Sequence, residues 1–122
     1  MPEASKPQRA NRLMVTSHDE GEVAVAAVRG AIDYDTRPPL QEALARACTR
    51  ARTPAKVVVD LSAVPFLDSG GVNTLLIAYR EATGTGGWLR LAGASAAVLR
   101  VLDLVGLDSV IDVYPTVQAA LA

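Results

Sequence analysis

Residues 57–71 have the sequence VVVDLSAVPFLDSGG, and this stretch decides the fold. Its first three residues are β-branched and apolar, with no alternation between apolar and polar side chains. A strand of that kind is covered on both faces, as in sheets that helices flank on either side. The polar end of the stretch brings Ser69 to the position where helical spacing of apolar residues begins. The stretch therefore predicts a buried strand, a loop and the start of a helix.

Outward from this stretch, strands alternate with helices. The predicted strands cover residues 13–16, 23–28, 57–61, 88–92 and 110–114, with a polar turn over 18–22. The predicted helices cover residues 38–52, 72–83, 96–105 and 116–121, with Gly84 expected as the residue just past the second one. This order predicts a single α/β domain. Its mixed sheet begins with an antiparallel hairpin, continues in parallel βα units and is flanked by helices.

Composition narrows the class of function. The chain has 122 residues, with 12 basic and 13 acidic side chains and a net charge of -1, so a direct nucleic-acid partner is not expected. One Cys and one His exclude an intrachain disulfide and a Cys/His zinc cluster, and neither a metal nor a cofactor is expected. Residues 1–12 are expected to form a flexible tail before a domain over 13–122. With no signal-like or membrane-length apolar run, the sequence predicts a cytoplasmic protein without membrane insertion.

The turn at Ser69 has two interpretations on residue types alone. Either Asp68 or Ser69 caps the helix, as these residue types commonly do. Alternatively, the hydroxyl of Ser69 is exposed at the positive end of a helix, a favourable place for a phosphate. A serine hydrolase is disfavoured, because Leu67 replaces the first Gly of the Gly-x-Ser-x-Gly elbow and the only available base is His18.

Other polar and reactive groups have ordinary structural interpretations. Asp33 and Asp35 are expected to cap the helix that follows them. Cys48 is expected to pack inside a helix rather than to act as a reactive thiol. Trp88 is expected in the core of its strand.

The stretch at residues 57–71 resembles the signature of STAS domains, in the branch of bacterial anti-sigma factor antagonists. Residues 30–36 are similar to the Gly-Glu-Leu-Asp-x-x-Thr element of that family, and residues 98–107 resemble its penultimate helix and turn. The resemblance covers residues 13–122. Two positions depart from the usual pattern: Gly70 replaces a Ser or Thr, which leaves Ser69 as the only hydroxyl in the motif, and Ala31 replaces a Glu.

The resemblance implies a protein without catalytic activity that is a monomer or a weak dimer. It implies binding to an anti-sigma factor that is also an ATP-dependent serine kinase, with phosphorylation of Ser69 by that kinase and removal of the phosphate by a PP2C-type phosphatase. It also implies a partner-binding surface made of Asp33, Tyr34, Asp35, Thr36, Asp68, Ser69, Gly70, Gly71 and Asn73. The alternative within the same family is a structural subunit of a lipid-transport complex.

Overall fold

A computed structural model describes residues 13–51 and 53–122 of the chain. The predicted tail over 1–12 lies outside these residues. The strands are β1 (Met14–Glu20), β2 (Val23–Arg29), β3 (Lys56–Ala63), β4 (Trp88–Ala92) and β5 (Val113–Tyr114). The α-helices are α1 (Arg37–Arg50), α2 (Ser69–Gly84), α3 (Ala96–Leu104) and α4 (Val117–Leu121), and a 3-10 turn spans Leu107–Ser109.

The five strands form one sheet in the order β1-β2-β3-β4-β5. The β1 and β2 strands are antiparallel, and each later neighbour pairs in parallel. This confirms the predicted mixed sheet of an antiparallel hairpin followed by βα units. The parallel order brings the carboxyl ends of β2 and β3 to the same edge of the sheet, and the loops that follow both strands meet there.

Helices cover the two faces of the sheet unequally. Val57 and Val59 face the larger core, where they pack with α1, α2 and α3, while Val58 faces a smaller apolar cluster with Ala120 of α4. All three valines are fully buried. The absence of alternation in this strand therefore has a direct cause, since each successive side chain enters an apolar layer.

The polar turn predicted over residues 18–22 is wrong. β1 continues through Glu20, and the turn contains only Gly21 and Glu22, with Gly21 at a φ of +64°. β1 is an edge strand and most of its residues are exposed, so polar side chains such as His18 are compatible with the strand.

Three helix and strand boundaries also differ from the prediction. α2 begins at Ser69 rather than at residue 72. Gly84 is the last residue of this helix rather than the residue just past its end, and the glycine with a left-handed backbone after the helix is Gly86, at a φ of +86°. The last strand is limited to Val113–Tyr114, because the chain reverses at Gly106 (φ +76°) and forms the 3-10 turn. Ile111 is fully buried in the larger core without belonging to a strand.

Candidate functional site

The loops after β2 and β3 are joined by backbone hydrogen bonds into one surface. The amide of Gly30 donates to the carbonyl of Ala63 at 3.0 Å, and the amide of Ile32 donates to the carbonyl of Phe66 at 2.9 Å. The carbonyl of Ile32 in turn accepts from the amide of Asp68 at 3.0 Å. The two sequence motifs around residues 30–36 and 66–71 are therefore brought together as one site.

Asp68 caps helix α2, which confirms the capping interpretation of the turn and leaves Ser69 free of that function. Its Oδ1 accepts a hydrogen bond from the amide of Gly71 at 3.1 Å, while its backbone is extended as expected for a cap. Ser69 is the first residue of the helix and is exposed. The capping function belongs to the carboxylate, and the hydroxyl of Ser69 faces solvent at the positive end of a 16-residue helix.

The two glycines after Ser69 differ in what surrounds them. Gly71 is buried, and a Cβ there would lie 2.5 Å from Cγ2 of Ile32, so only glycine fits without movement. Gly70 has more room: a Cβ there would lie 3.2 Å from Oδ1 of Asp68 and 3.7 Å from Cα of Tyr34. Gly70 thus lies against the turn that precedes α1, and Gly71 fixes α2 to the loop after β2.

The turn before α1 is held by reciprocal hydrogen bonds between Asp33 and Thr36. The Asp33 amide donates to Oγ1 of Thr36 at 2.9 Å, and the Thr36 amide donates to Oδ1 of Asp33 at 3.0 Å. The Thr36 hydroxyl donates to the carbonyl of Ala31 at 3.0 Å. The N-cap of α1 is Thr36, so the prediction that Asp33 and Asp35 cap this helix is wrong. Asp33 instead stabilises the turn that precedes the helix.

This turn leaves Tyr34 and Asp35 exposed beside the loop of Ser69. Tyr34 is 67% exposed, a large fraction for an aromatic side chain. Asn73 is exposed one helical turn after Ser69, and residues four apart share a helix face. Tyr34, Asp35, Ser69 and Asn73 therefore form the accessible part of the predicted surface, while Asp33, Thr36, Asp68 and Gly71 hold its shape.

Two residues of this surface were not among the predicted partner-binding residues. Phe66 is 52% exposed in the loop after β3. The guanidinium of Arg37 lies 4.6 Å from the centroid of the Tyr34 ring. The sequence did carry a signal for Phe66, a large apolar side chain in a loop, but contained none for the stacking of Arg37 on Tyr34.

The sequence and the fold of this chain match a known family. The model of the STAS domain matches residues 14–120. The chain belongs to the STAS domain family.

Several relatives of this STAS domain are named as anti-sigma factor antagonists. The anti-sigma-F factor antagonist RsfB of Mycobacterium tuberculosis is 34% identical over 109 residues, 89% of this chain and 87% of that protein. The crystal structure of an anti-sigma factor antagonist from Mycobacterium paratuberculosis has a TM-score of 0.81 at 33% identity, and covers 91% of this chain and 92% of that one. SpoIIAA in its unphosphorylated form has a TM-score of 0.72 at 21% identity, covers 88% and 93% of the two chains, and shows the shared fold.

The STAS domain separates Ser69 from the only histidine. His18 pairs with Val25 in the sheet, four residues before β2 ends at Arg29, which is about 13 Å along a strand. The His18 ring instead contacts Glu20 at 3.1 Å. This separation leaves Ser69 without a histidine base, which argues against the hydrolase interpretation.

Across residues 13–51 and 53–122, no group of three or more His, Cys, Asp and Glu side chains is arranged to hold a metal ion. Within the same ranges, no helix is both long and apolar enough to cross a membrane.

The remaining candidate, Cys48, is 8% exposed in α1. Burial, with a smaller contribution from the charge of Glu81, raises the pKa of its thiol to about 11. A thiol that stays protonated at neutral pH is a poor nucleophile, in agreement with the packing role expected for Cys48.

Proposed function

We propose that this STAS domain is an anti-sigma factor antagonist that acts by binding rather than by catalysis. In its unphosphorylated form it binds an anti-sigma factor that is also a serine kinase, and the sigma factor is released. The kinase uses ATP to phosphorylate Ser69, which ends the binding, and a PP2C-type phosphatase reverses the modification. The observation that carries the proposal is the exposed hydroxyl of Ser69 at the start of α2, with capping already supplied by Asp68.

The position of Ser69 favours a phosphate without disturbing the fold. The first amides of α2 and the positive end of its dipole stabilise negative charge. A phosphate adds about -1.5 to -2 charges, so the net charge of -1 becomes roughly -3. Because Ser69 is exposed and makes no part of the core, its modification changes the surface and leaves the packing intact.

The exposed residues around Ser69 suit a partner interface. Tyr34 and Phe66 supply aromatic area next to the hydroxyl, and aromatic side chains are enriched at the centres of interfaces. A unit charge about 4 Å from a carboxylate of the partner is repelled by about 4 kcal/mol at an effective dielectric constant of 20, before salt screening. Since about 1.4 kcal/mol is a tenfold change in affinity, about a third of this repulsion weakens binding tenfold.

The test measures binding to the purified anti-sigma factor kinases that are encoded in the same genome. The parent chain should bind one of them, Ser69→Ala should bind equally well and resist phosphorylation, and Ser69→Asp should bind at least tenfold more weakly. Ser17→Asp on the exposed edge strand is the matched control and should bind like the parent. Equal binding of Ser69→Asp and the parent would contradict the charge switch. Co-purification with a membrane ATPase, and with no kinase, would favour the lipid-transport alternative.

A further inference from the structure

The side chain of Arg37 lies beside the loop that contains Ser69. It is the first residue of α1, and its Cδ lies 3.9 Å from the position that a Cβ would take at Gly70. Its guanidinium stacks over the ring of Tyr34, with 4.6 Å between Cζ and the ring centroid. The side chain therefore lies between the exposed aromatic residue and the first turn of α2.

The carboxylates of Asp33 and Asp68 accept from backbone amides, while Asp35 is exposed and makes no ion pair with Arg37 within 4.0 Å among the described residues. Oδ1 of Asp33 accepts from Thr36, and Oδ1 of Asp68 accepts from Gly71. Among the residues that the structure describes, the arginine and lysine ion pairs within 4.0 Å are Arg46–Glu42, Arg50–Asp19 and Lys56–Glu22. Within the same residues, the guanidinium of Arg37 has an aromatic ring as its partner and no anion.

We propose that Arg37 is the intramolecular partner of a phosphate on Ser69, and that it leaves the ring of Tyr34 to bind that phosphate. This inference rests on the proposed phosphorylation of Ser69. A guanidinium binds phosphate through two parallel charge-assisted hydrogen bonds, whereas stacking on an exposed ring is among the weaker interactions of arginine. The phosphate therefore replaces the ring of Tyr34 as the binding partner of the guanidinium.

Gly70 favours this movement, because glycine places no side chain beside Arg37. A hydroxyl-bearing side chain at position 70, as is usual in the family, would extend from a Cβ that already lies 3.9 Å from Cδ of Arg37 and 3.2 Å from Oδ1 of Asp68. Without that side chain, the space between Arg37 and the start of α2 stays open. Gly70, which departs from the family pattern, and Arg37, which lies beside it, therefore both favour binding of the phosphate by Arg37.

Phosphorylation then acts on the partner surface in two ways. It adds negative charge at Ser69, and it removes the stacking partner that holds Tyr34, which is 67% exposed. Arg37 is a positioning residue in this scheme, since it acts on binding through the orientation of Tyr34.

The test uses chain in which phosphoserine is placed at position 69 by codon suppression, so that no kinase is required. A phosphorus NMR titration measures the second pKa of the phosphate in the parent, in Arg37→Gln and in Arg46→Gln. Arg46 is the matched control, because it is an exposed arginine about 13 Å further along the same helix. We expect the pKa to rise by about half a unit or more in Arg37→Gln and to be unchanged in Arg46→Gln. Equal pKa values in the parent and Arg37→Gln would overturn the proposal.

A second measurement follows the ring of Tyr34 by carbon–proton NMR. With phosphoserine at position 69, its ring signals should move toward those of unphosphorylated Arg37→Gln, in which the stack is absent. Ring signals that stay in place would overturn the transfer of Arg37 from the ring to the phosphate. Neither measurement involves a kinase or an anti-sigma factor, so a failure of the proposed function would leave both results interpretable.

Discussion

Gly71 and Ile32 are in contact so close that a Cβ on Gly71 would lie 2.5 Å from Cγ2 of Ile32. The same Cβ would also overlap Cδ1 of Leu67. Ile32 and Leu67 are themselves paired as a parallel bridge between the two loops. The contact therefore fixes the first turn of α2 onto the joined loops, and the position of Ser69 depends on it.

Replacement of Gly71 by alanine should destabilise the domain. The added methyl group must displace two buried side chains, and overpacking of this kind costs about 1–3 kcal/mol. Gly70→Ala is the matched control, because a Cβ there is crowded only by Oδ1 of Asp68 at 3.2 Å, while Tyr34 and Arg37 lie at the ordinary contact distances of 3.7 and 3.9 Å. We expect its free energy of unfolding to stay within about 1 kcal/mol of the parent. Urea unfolding gives the free energy of unfolding of both variants. Equal values would show that the side chains of Ile32 and Leu67 move aside at little cost.

Asp68→Ala should lower the free energy of unfolding by about 1 kcal/mol, because the amide of Gly71 loses its acceptor. Asp68→Asn retains a side-chain oxygen and should lose less, since asparagine caps helices about as well as aspartate. Urea unfolding of the three chains at the same salt concentration checks the order. Equal losses in Asp68→Asn and Asp68→Ala would mean that the charge of Asp68, rather than its hydrogen bond, stabilises α2.

Tyr34→Ala and Phe66→Ala should weaken partner binding by at least tenfold, about 1.4 kcal/mol each, without loss of stability. Both side chains are more than half exposed and contribute little to the core. Leu104→Ala is the control, because Leu104 is 76% exposed at the end of α3 and is not part of the loops around Ser69. Calorimetric titration of the anti-sigma factor kinase measures the affinities. Unchanged affinity in both aromatic variants would place the interface elsewhere.

Cys48 should make stability fall at alkaline pH. Burial raises the pKa of its thiol from 9.0 to about 11 in the folded chain, so below pH 9 the thiol is protonated in both states and has no effect. Between pH 9 and 11 the unfolded chain loses this proton and the folded chain keeps it, which favours unfolding.

The matched comparison for Cys48 is Cys48→Ala, in which this proton is absent while every other group titrates as before. The difference in unfolding free energy between the parent and Cys48→Ala should shift by about 1 kcal/mol against the parent between pH 8 and pH 10. Urea unfolding at the two pH values provides the measurement. A constant difference would mean that the folded thiol titrates near its ordinary pKa.

Local patterns in the sequence were sufficient to predict most of the fold. The unalternating valines at 57–59 indicate a strand with two covered faces, and the helix predicted over 96–105 is close to the observed α3, whose N-cap Ser95 accepts from the amide of Val98 at 3.3 Å. The extent of β1 was missed because the polar residues of an exposed edge strand have the composition of a turn. Ile111 was assigned to a strand because a β-branched core residue has the same pattern whether or not its backbone is paired.

The sequence motif of the site could be predicted, but the contacts among its residues could not. Asp68 and Ser69 are both good capping residues, so residue types alone do not distinguish them, whereas the hydrogen bond from the amide of Gly71 to Oδ1 of Asp68 does. Arg37 and Gly70 are 33 positions apart, and their proximity arises from the pairing of the two loops rather than from any local spacing. Contacts of that kind depend on the assembled sheet.

Arg90 should be a main support of the C-terminal helix on the less covered face of the sheet. Its Nη1 donates to the carbonyl of Ala120 at 2.7 Å, and its guanidinium lies 3.8 Å from the centroid of the Trp88 ring. Helix α4 has five residues, too few to be stable without tertiary contacts. Arg90→Met retains an apolar stem but loses both interactions, and should lower the free energy of unfolding by about 1–3 kcal/mol.

Arg100→Met is the control for Arg90→Met, because Arg100 is exposed on α3 and its replacement should change stability by less than about 0.5 kcal/mol. Trp88 is the only tryptophan of the chain, so its fluorescence reports directly on the ring that Arg90 covers. We expect its emission to move to longer wavelength in Arg90→Met before global unfolding in urea, because α4 separates first. If Arg90→Met unfolds in a single transition with the same urea midpoint as the parent, the apolar contacts of Ala120, and not Arg90, hold α4 in place.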